Sequence, residues 1–318
     1  MAKDKLKAFG DMTETEAREF LEELRWGGKP VCPHCEHDVA HKITGKVGSK
    51  NPVRSGVYMC AKCRKQFTVT VGTIFEASKI PLRKWVMAFY LMNTSKKGIS
   101  AHQLHRMLGV TYKTAWFMCH RIRESMRKEP VTTLLDGIVE ADETYIGGKE
   151  INRHASKRKG GTGRGSVDKV PVFALVERGG ELRAGKVANV GSTTLPNIIR
   201  QHVHRNAHLM TDSFGAYARA DEHVLFHSTV EHRRREYVRC ETHVNTLEGW
   251  FSLLKRGING TFHHVSEKHL DRYIDEFVHR YNWRKMDDVQ RTIKAIKGAP
   301  GKRLYYKAPI GKRSTKSS

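Results

Sequence analysis

Val139-Glu-Ala-Asp-Glu-Thr-Tyr-Ile146 and Leu209-Met-Thr-Asp-Ser-Phe214 each carry an aspartate, Asp142 or Asp212, at the C-terminal end of an apolar run. An acid in such a place is costly unless it is paired or bound to a cation. Outward from these runs, β-branched composition predicts strands over 137–142, 170–177 and 181–190, the last two joined through Arg178-Gly-Gly180 as a meander. A helix over 195–203, entered through Ser192-Thr-Thr194, leads into a strand over 208–212. Three strands, a helix, a strand and a further helix predict an α/β layer fold. The further helix is Asn245-Thr-Leu-Glu-Gly-Trp-Phe-Ser-Leu-Leu-Lys255. Its apolar stripe is Leu247, Trp250, Phe251, Leu254 and Ile258, and Asn245, Glu248, Ser252 and Lys255 line the other side. At roughly 100° per residue, Glu248 and Lys255 share one face two turns apart. For the helix alone that is an ordinary solvated face. Three acids in this chain order make it a candidate site.

In front of this segment, Cys32-Pro-His-Cys35 and Cys60-Ala-Lys-Cys63 form two Cys-X2-Cys pairs with 24 residues between them. Two such knuckles present four thiolates to one Zn²⁺, so residues 30–70 are read as a zinc ribbon. A closed four-thiolate site leaves no position for substrate, so the zinc is structural. Cys119 and Cys240 are isolated. Thr13-Glu-Thr-Glu16 is a capping box opening a helix with Ala17, Phe20, Leu21 and Leu24 on its apolar face, expected to pack on the ribbon. Helices are expected over 81–92, 100–108 and 112–126, with Gly109-Val-Thr111 as the turn between the last two. A helix, a glycine turn and a helix carrying Lys113, His120, Arg121, Arg123 and Arg127 match a helix-turn-helix, with Lys113, Arg121 and Arg123 as DNA contacts.

The chain has 318 residues, 57 Lys and Arg against 33 Asp and Glu, and a formal net charge of +24. With 39% hydrophobic residues it is neither wholly disordered nor a small disulfide scaffold. No stretch is apolar enough for a membrane helix, and MAKDKLKAFGDM has no apolar signal region, so a soluble, cytoplasmic protein is expected. The positive excess predicts a polyanionic partner, a generic basic surface being the bland alternative. Residues 149–169 carry seven basic and two acidic side chains with four glycines, as in a mobile basic loop. The tail from Gly301 adds six basic residues and no acidic one.

Asp142 in Asp-Glu-Thr-Tyr-Ile-Gly-Gly-Lys149, Asp212 in Thr-Asp-Ser-Phe-Gly-Ala-Tyr217, and Glu248 after 35 intervening residues with Lys255 seven on resemble the DDE motif of RNase H-like transposases. The ribbon in front is similar to that of bacterial insertion-sequence transposases called ISXO-type, and the resemblance spans about 15–290. It implies a helix and zinc ribbon over 1–72, a helix-turn-helix over 73–130, an RNase H-like DDE catalytic domain over 131–293 and a basic tail over 294–318. It implies an enzyme that cuts and joins DNA strands with Mg²⁺ or Mn²⁺ held by Asp142, Asp212 and Glu248, with Lys255 on a phosphate. The implied partners are double-stranded DNA, as element terminal inverted repeats and target. A homo-oligomer on DNA, associated with the nucleoid and not with membrane, is expected.

Members of the family are described with Asn as the last ligand, and this sequence offers both Asn245 and Glu248. Glu248 is preferred because a carboxylate binds a hard cation better than an amide does, and because its spacing suits the wider motif. Glu140 and Glu143 flank Asp142 and are expected on the opposite face of the strand, as weaker metal candidates. Two alternatives stay open: a nuclease of the same fold without strand transfer, and a zinc-ribbon and helix-turn-helix regulator with an inactive core.

Overall fold

The computed structural model describes residues 9–45, 54–127, 133–148, 154, 169–231, 238 and 241–305. Most of the basic loop over 149–169, Arg233-Arg-Arg235 and the tail past 305 lie outside the described residues. The chain divides into two compact units, one of residues 1–94, 101–126 and 288–318, the other of 95–100 and 127–287. No helix among the described residues is long and apolar enough to cross a membrane.

In the first unit, helix α1 (Glu14–Trp26) starts at the expected capping box, in which Thr13 and Glu16 satisfy each other's backbone N–H, and stops at Gly27 with φ 57°. Its C-terminal end packs on a small antiparallel sheet of β1 (Ala40–Lys42), β2 (Tyr58–Cys60) and β3 (Gln66–Phe67). Trp26 meets the rings of Tyr58 and Phe67 edge-on, and Arg25 donates to the carbonyls of Val69 and Val71. Helix α2 (Leu82–Thr94) receives the Glu14 carboxylate on the N–H groups of Leu82 and Arg83, the end of a helix that favours an anion. Helices α3 (Ala101–Leu108) and α4 (Tyr112–Met126) follow, joined through Gly109, whose φ of 59° suits glycine.

The outward role expected of two arginines on α4 is corrected here. Arg121 and Arg123 are 5% and 2% exposed, and His120 is fully buried. The Arg121 guanidinium donates to the Glu76 carbonyl at 2.5 Å and lies over the rings of Trp85 and Phe117. Both arginines therefore belong to the interior, whereas Lys113 is exposed near the start of α4. The boundary expected after residue 293 falls inside a helix, Asp288–Lys297, which buries Thr292, Ala295 and Ile296 in the first unit.

The second unit is built on a five-stranded sheet in the order β6-β5-β4-β7-β8. Strands β4 (Ile138–Ile146), β5 (Val170–Glu177) and β6 (Leu182–Lys186) form the expected antiparallel meander. β7 (His208–Asp212) lies parallel to β4, and β8 (Phe226–Val230), which the sequence did not announce, lies parallel to β7. β4 continues four residues past Asp142, so that aspartate sits within the strand and not at its end. On one face of the sheet, Val139, Ala141, Phe173 and Leu175 pack with Leu195 and Ile199 of helix α5 (Thr194–His202). On the other, Val172, Ala174 and Val176 pack against Leu247, Trp250, Phe251 and Leu254 of α6 (Asn245–Arg256) and against Ile274 and Phe277 of α7 (Leu270–Asn282).

Candidate functional site

Strand alternation and register place the acids. On β4, Asp142 stands opposite Ala174 of β5, whose side chain faces α6 and α7. Between β4 and β7 the register pairs Glu140 with Met210, so two residues further on Asp142 comes beside Asp212 on the same face. Glu248 is exposed in the first turn of α6, which packs over that face. Asp142 and Glu248 both line an open cleft of about 890 Å³, together with Glu143, Ser252 and Lys255. Asn245 does not line it.

Asp142 is pushed up to about 8, first by burial and then by the charge of Glu143, with Asp212 and Glu248 adding to the effect. The Glu143 N–H donated to Asp142 Oδ1 at 2.8 Å works the other way. Asp212 Oδ1 accepts from the N–H of Phe214 at 3.0 Å. Glu143 accepts from the Tyr217 hydroxyl at 2.5 Å, and burial raises both groups. Tyr217 thus holds Glu143, a contact the sequence reading did not contain.

The face expected for Glu140 is corrected. Two residues from Asp142, it shares that residue's face, as period-2 alternation requires. Glu140 is fully buried and accepts from the N–H groups of Thr246 and Leu247 at 3.0 and 3.2 Å and from the Thr246 hydroxyl at 2.9 Å. Arg178 completes the arrangement, its Nε 2.8 Å from Glu140 and its other nitrogens donating to the carbonyls of Glu241 and His243. A carboxylate at a helix N-terminus meets otherwise unsatisfied N–H groups and the positive end of the dipole. Glu140 therefore ties the first turn of α6, which carries Glu248, to the strand that carries Asp142.

The pKa of Asp142 fixes a pH dependence. A carboxyl whose folded pKa is raised from 3.8 to about 8 contributes stability below the lower value and loses it as pH rises through the upper one. Without added divalent cation, Asp142→Asn should therefore melt above the wild type at pH 8, with the gap closing near pH 4. An equal gap at both pH values would remove the buried charge as its cause.

In the first unit, the Cys32, Cys35, Cys60 and Cys63 sulfurs all lie within 4.8 Å of one another. Cys32 and Cys63 are 3.7 Å apart at sulfur, Cys35 and Cys60 3.6 Å. Four thiolates about 2.3 Å from one tetrahedral Zn²⁺ stand about 3.8 Å apart, so the cluster has the dimensions for the ion. The residues that follow the knuckles, Glu36 and Arg64, both have φ 59°, which turns the chain back so that their N–H groups reach the carbonyls of Cys32 and Cys60. Burial opposes ionisation of Cys60, but the N–H groups of Cys63 and Lys62 and the neighbouring thiols pull it down to about 6.

Residues 134–282 match the ISXO2-like transposase domain, and residues 12–66 match the transposase zinc-ribbon domain. The chain is 31% identical over 278 residues to an uncharacterized protein in transposable element ISH50 of Halobacterium salinarum, covering 84% of this chain and 90% of that one. The chain belongs to the ISXO2-like transposase family. Among solved structures, the simian T-cell lymphotropic virus intasome in complex with PP2A regulatory subunit B56 gamma aligns over 61% of this chain and 64% of that one. With 15% identity and a TM-score of 0.28, that alignment carries no argument.

The cysteine cluster of this transposase is thus that of a zinc ribbon. Protein purified without chelators should carry one zinc per chain, and strong chelation should unfold the ribbon and weaken DNA binding. Elemental analysis that finds no zinc would end this assignment.

Proposed function

We propose that this transposase binds the terminal inverted repeats of its element through the first unit and cuts and joins DNA strands in the cleft of the second. The observation that carries the proposal is the meeting of Asp142, Asp212 and Glu248, from β4, β7 and α6, close enough for the last two to raise the first. We read the sheet, an antiparallel meander extended by two parallel strands with α6 across one face, as RNase H-like.

The donor set fits divalent cations: every candidate ligand atom is a carboxylate oxygen, and Asp142 is driven toward its neutral form when no cation offsets its neighbours. When bound by Asp142, Asp212 and Glu248, Mg²⁺ or Mn²⁺ supplies activation of a water or 3′-hydroxyl and stabilisation of the leaving oxygen at phosphorus. Glu248 is the third ligand in this reading, because its charge, like that of Asp212, reaches Asp142, and a carboxylate binds a hard cation better than the Asn245 amide does. Lys255, on the same helix face, holds a phosphate beside the bond that breaks. Tyr217 fixes Glu143 by its hydroxyl. Glu140 and Arg178 fix α6. Duplex carrying the element's own end should be cut by the wild type with Mg²⁺ and not without it. Cutting that is indifferent to divalent cation would sink this reading.

We read α3, the Gly109 turn and α4 as a helix-turn-helix in which α4 enters the major groove. Lys113, exposed near the N-terminal end of α4, is placed to reach a base edge there. Lys113→Ala should lower the preference for the element's ends over scrambled duplex by about 1–3 kcal/mol. Arg121→Ala should lower the melting temperature and leave that preference unchanged. Binding isotherms on both duplexes, with melts of both variants, separate the two; a changed preference in Arg121→Ala alone would reverse the assignment.

A further inference from the structure

Part of the cleft is built by residues outside the acidic motif. Helix α6 runs into a π-helical turn, Gly257–Phe262, a rare geometry that recurs at functional sites. Asn259, Gly260 and Thr261 of this turn line the cleft next to Lys255, Arg256 and Lys97. Lys97 comes from Ser95–Ser100, a segment that lies between two helices of the first unit in sequence but packs in the second. It also lies outside the 134–282 match.

Two glycines seat this segment on the turn. Gly98 has φ 85°, and a Cβ there would run into the ring of Phe262. A Cβ on Gly257 would run into Phe277 and come within 3.0 Å of the Lys97 carbonyl. Phe262 is itself held edge-on to Tyr273, ring centroids 4.7 Å apart. The backbone that presents Lys97 is thereby fixed against the turn. The side chains of Lys97 and Asn259 are exposed, and neither Lys97 nor Lys255 is ion-paired to a carboxylate among the described residues. Cations without counter-ions, beside an amide and a hydroxyl in an open groove, suit a phosphodiester.

We propose that Lys97, Asn259 and Thr261 form a seat for a DNA phosphate on the strand that passes the carboxylates. The proposal rests on the reading of the cleft as the strand-cleaving site. Asn259 follows Glu248 by eleven residues, roughly 16 Å along the helix axis at about 1.5 Å per residue, with Lys255 between them. The seat therefore takes a phosphate displaced along the strand from the one that reacts. It sets the register of the strand and not the chemistry, so its loss acts on KM.

The test uses the full chain with Mg²⁺ and duplexes of the element's own terminal repeat, each with one neutral methylphosphonate at a position flanking the cut. With the wild type, one position away from the scissile phosphate should raise KM about tenfold, the worth of one charged hydrogen bond. Lys97→Gln should show the raised KM on unmodified duplex, with kcat nearly unchanged, and no further penalty at that one position. Lys97→Arg should restore most of the affinity, and Asn259→Ala should be silent to the same methylphosphonate. If the Lys97→Gln and methylphosphonate penalties multiply at every position, the seat is refuted while the reading of the cleft stands. If the wild type fails to cut any unmodified end, the reading of the cleft fails and the seat falls with it.

Discussion

Asp142→Asn, Asp212→Asn and Glu248→Gln should each leave DNA binding nearly intact and lower Mg²⁺-dependent cleavage a hundredfold or more, about the loss when one preorganised electrostatic group is removed. The expectation follows from position: the three acids come from β4, β7 and α6 of one unit, whereas the exposed Lys113 belongs to the other. Asn245→Ala, which alters a residue outside the cleft lining, should cut at close to the wild-type rate. Single-turnover cleavage of the element's end, with binding measured on the same duplex, decides each case. An active Glu248→Gln beside a dead Asn245→Ala would move the third ligand to Asn245.

Glu140→Ala should be the most destabilising of the single changes named here. It removes a fully buried carboxylate that Arg178 and the first turn of α6 share, leaving a guanidinium and two helix N–H groups without their partner. Breaking a buried pair from one side costs about 3–5 kcal/mol. Glu140→Gln keeps the shape and some of the hydrogen bonds and should cost less. Urea unfolding of both variants and of Arg178→Ala measures this directly. A loss under about 1 kcal/mol in Glu140→Ala would show that α6 is held by its apolar stripe alone.

The parts of this fold legible in the sequence are those fixed by local pattern. The Thr13 capping box, α4 with its bounds at Tyr112 and Met126, and the β5 and β7 strands follow from capping chemistry, helical period and continuous apolar runs. The second half of β4 did not stand out because Glu143, Thr144 and Tyr145 are polar or amphipathic, though they still pair with β5. β8, Phe-His-Ser-Thr-Val230, has no apolar run, because only Val230 in it is buried. The nearness of Asp142 to Asp212 and Glu248 was legible from their order on strand, strand and helix and from the DDE resemblance. The supports around these acids were not, since Tyr217 meets Glu143, and Arg178 meets Glu140, only across folded strands.

For Arg121 and Arg123 charge and position disagree: the charge suggests an outward DNA contact, whereas both side chains are buried. Met118, Cys119, Ile122 and Met126 surround them on a helix buried most of the way round. The Glu140 face was readable from alternation alone. Lys97 was not, because only the packing of Gly98 and Gly257 against aromatic rings brings its segment to the cleft.

The central claim is that this cleft joins DNA strands as well as cutting them. The most direct measurement incubates the purified chain, with Mg²⁺, a pre-cleaved element end bearing a 3′-hydroxyl and a supercoiled target plasmid. The account predicts covalently joined end and target, absent with Asp142→Asn. Target or end DNA that is hydrolysed by the wild type with no joined product would contradict it and leave a nuclease in its place.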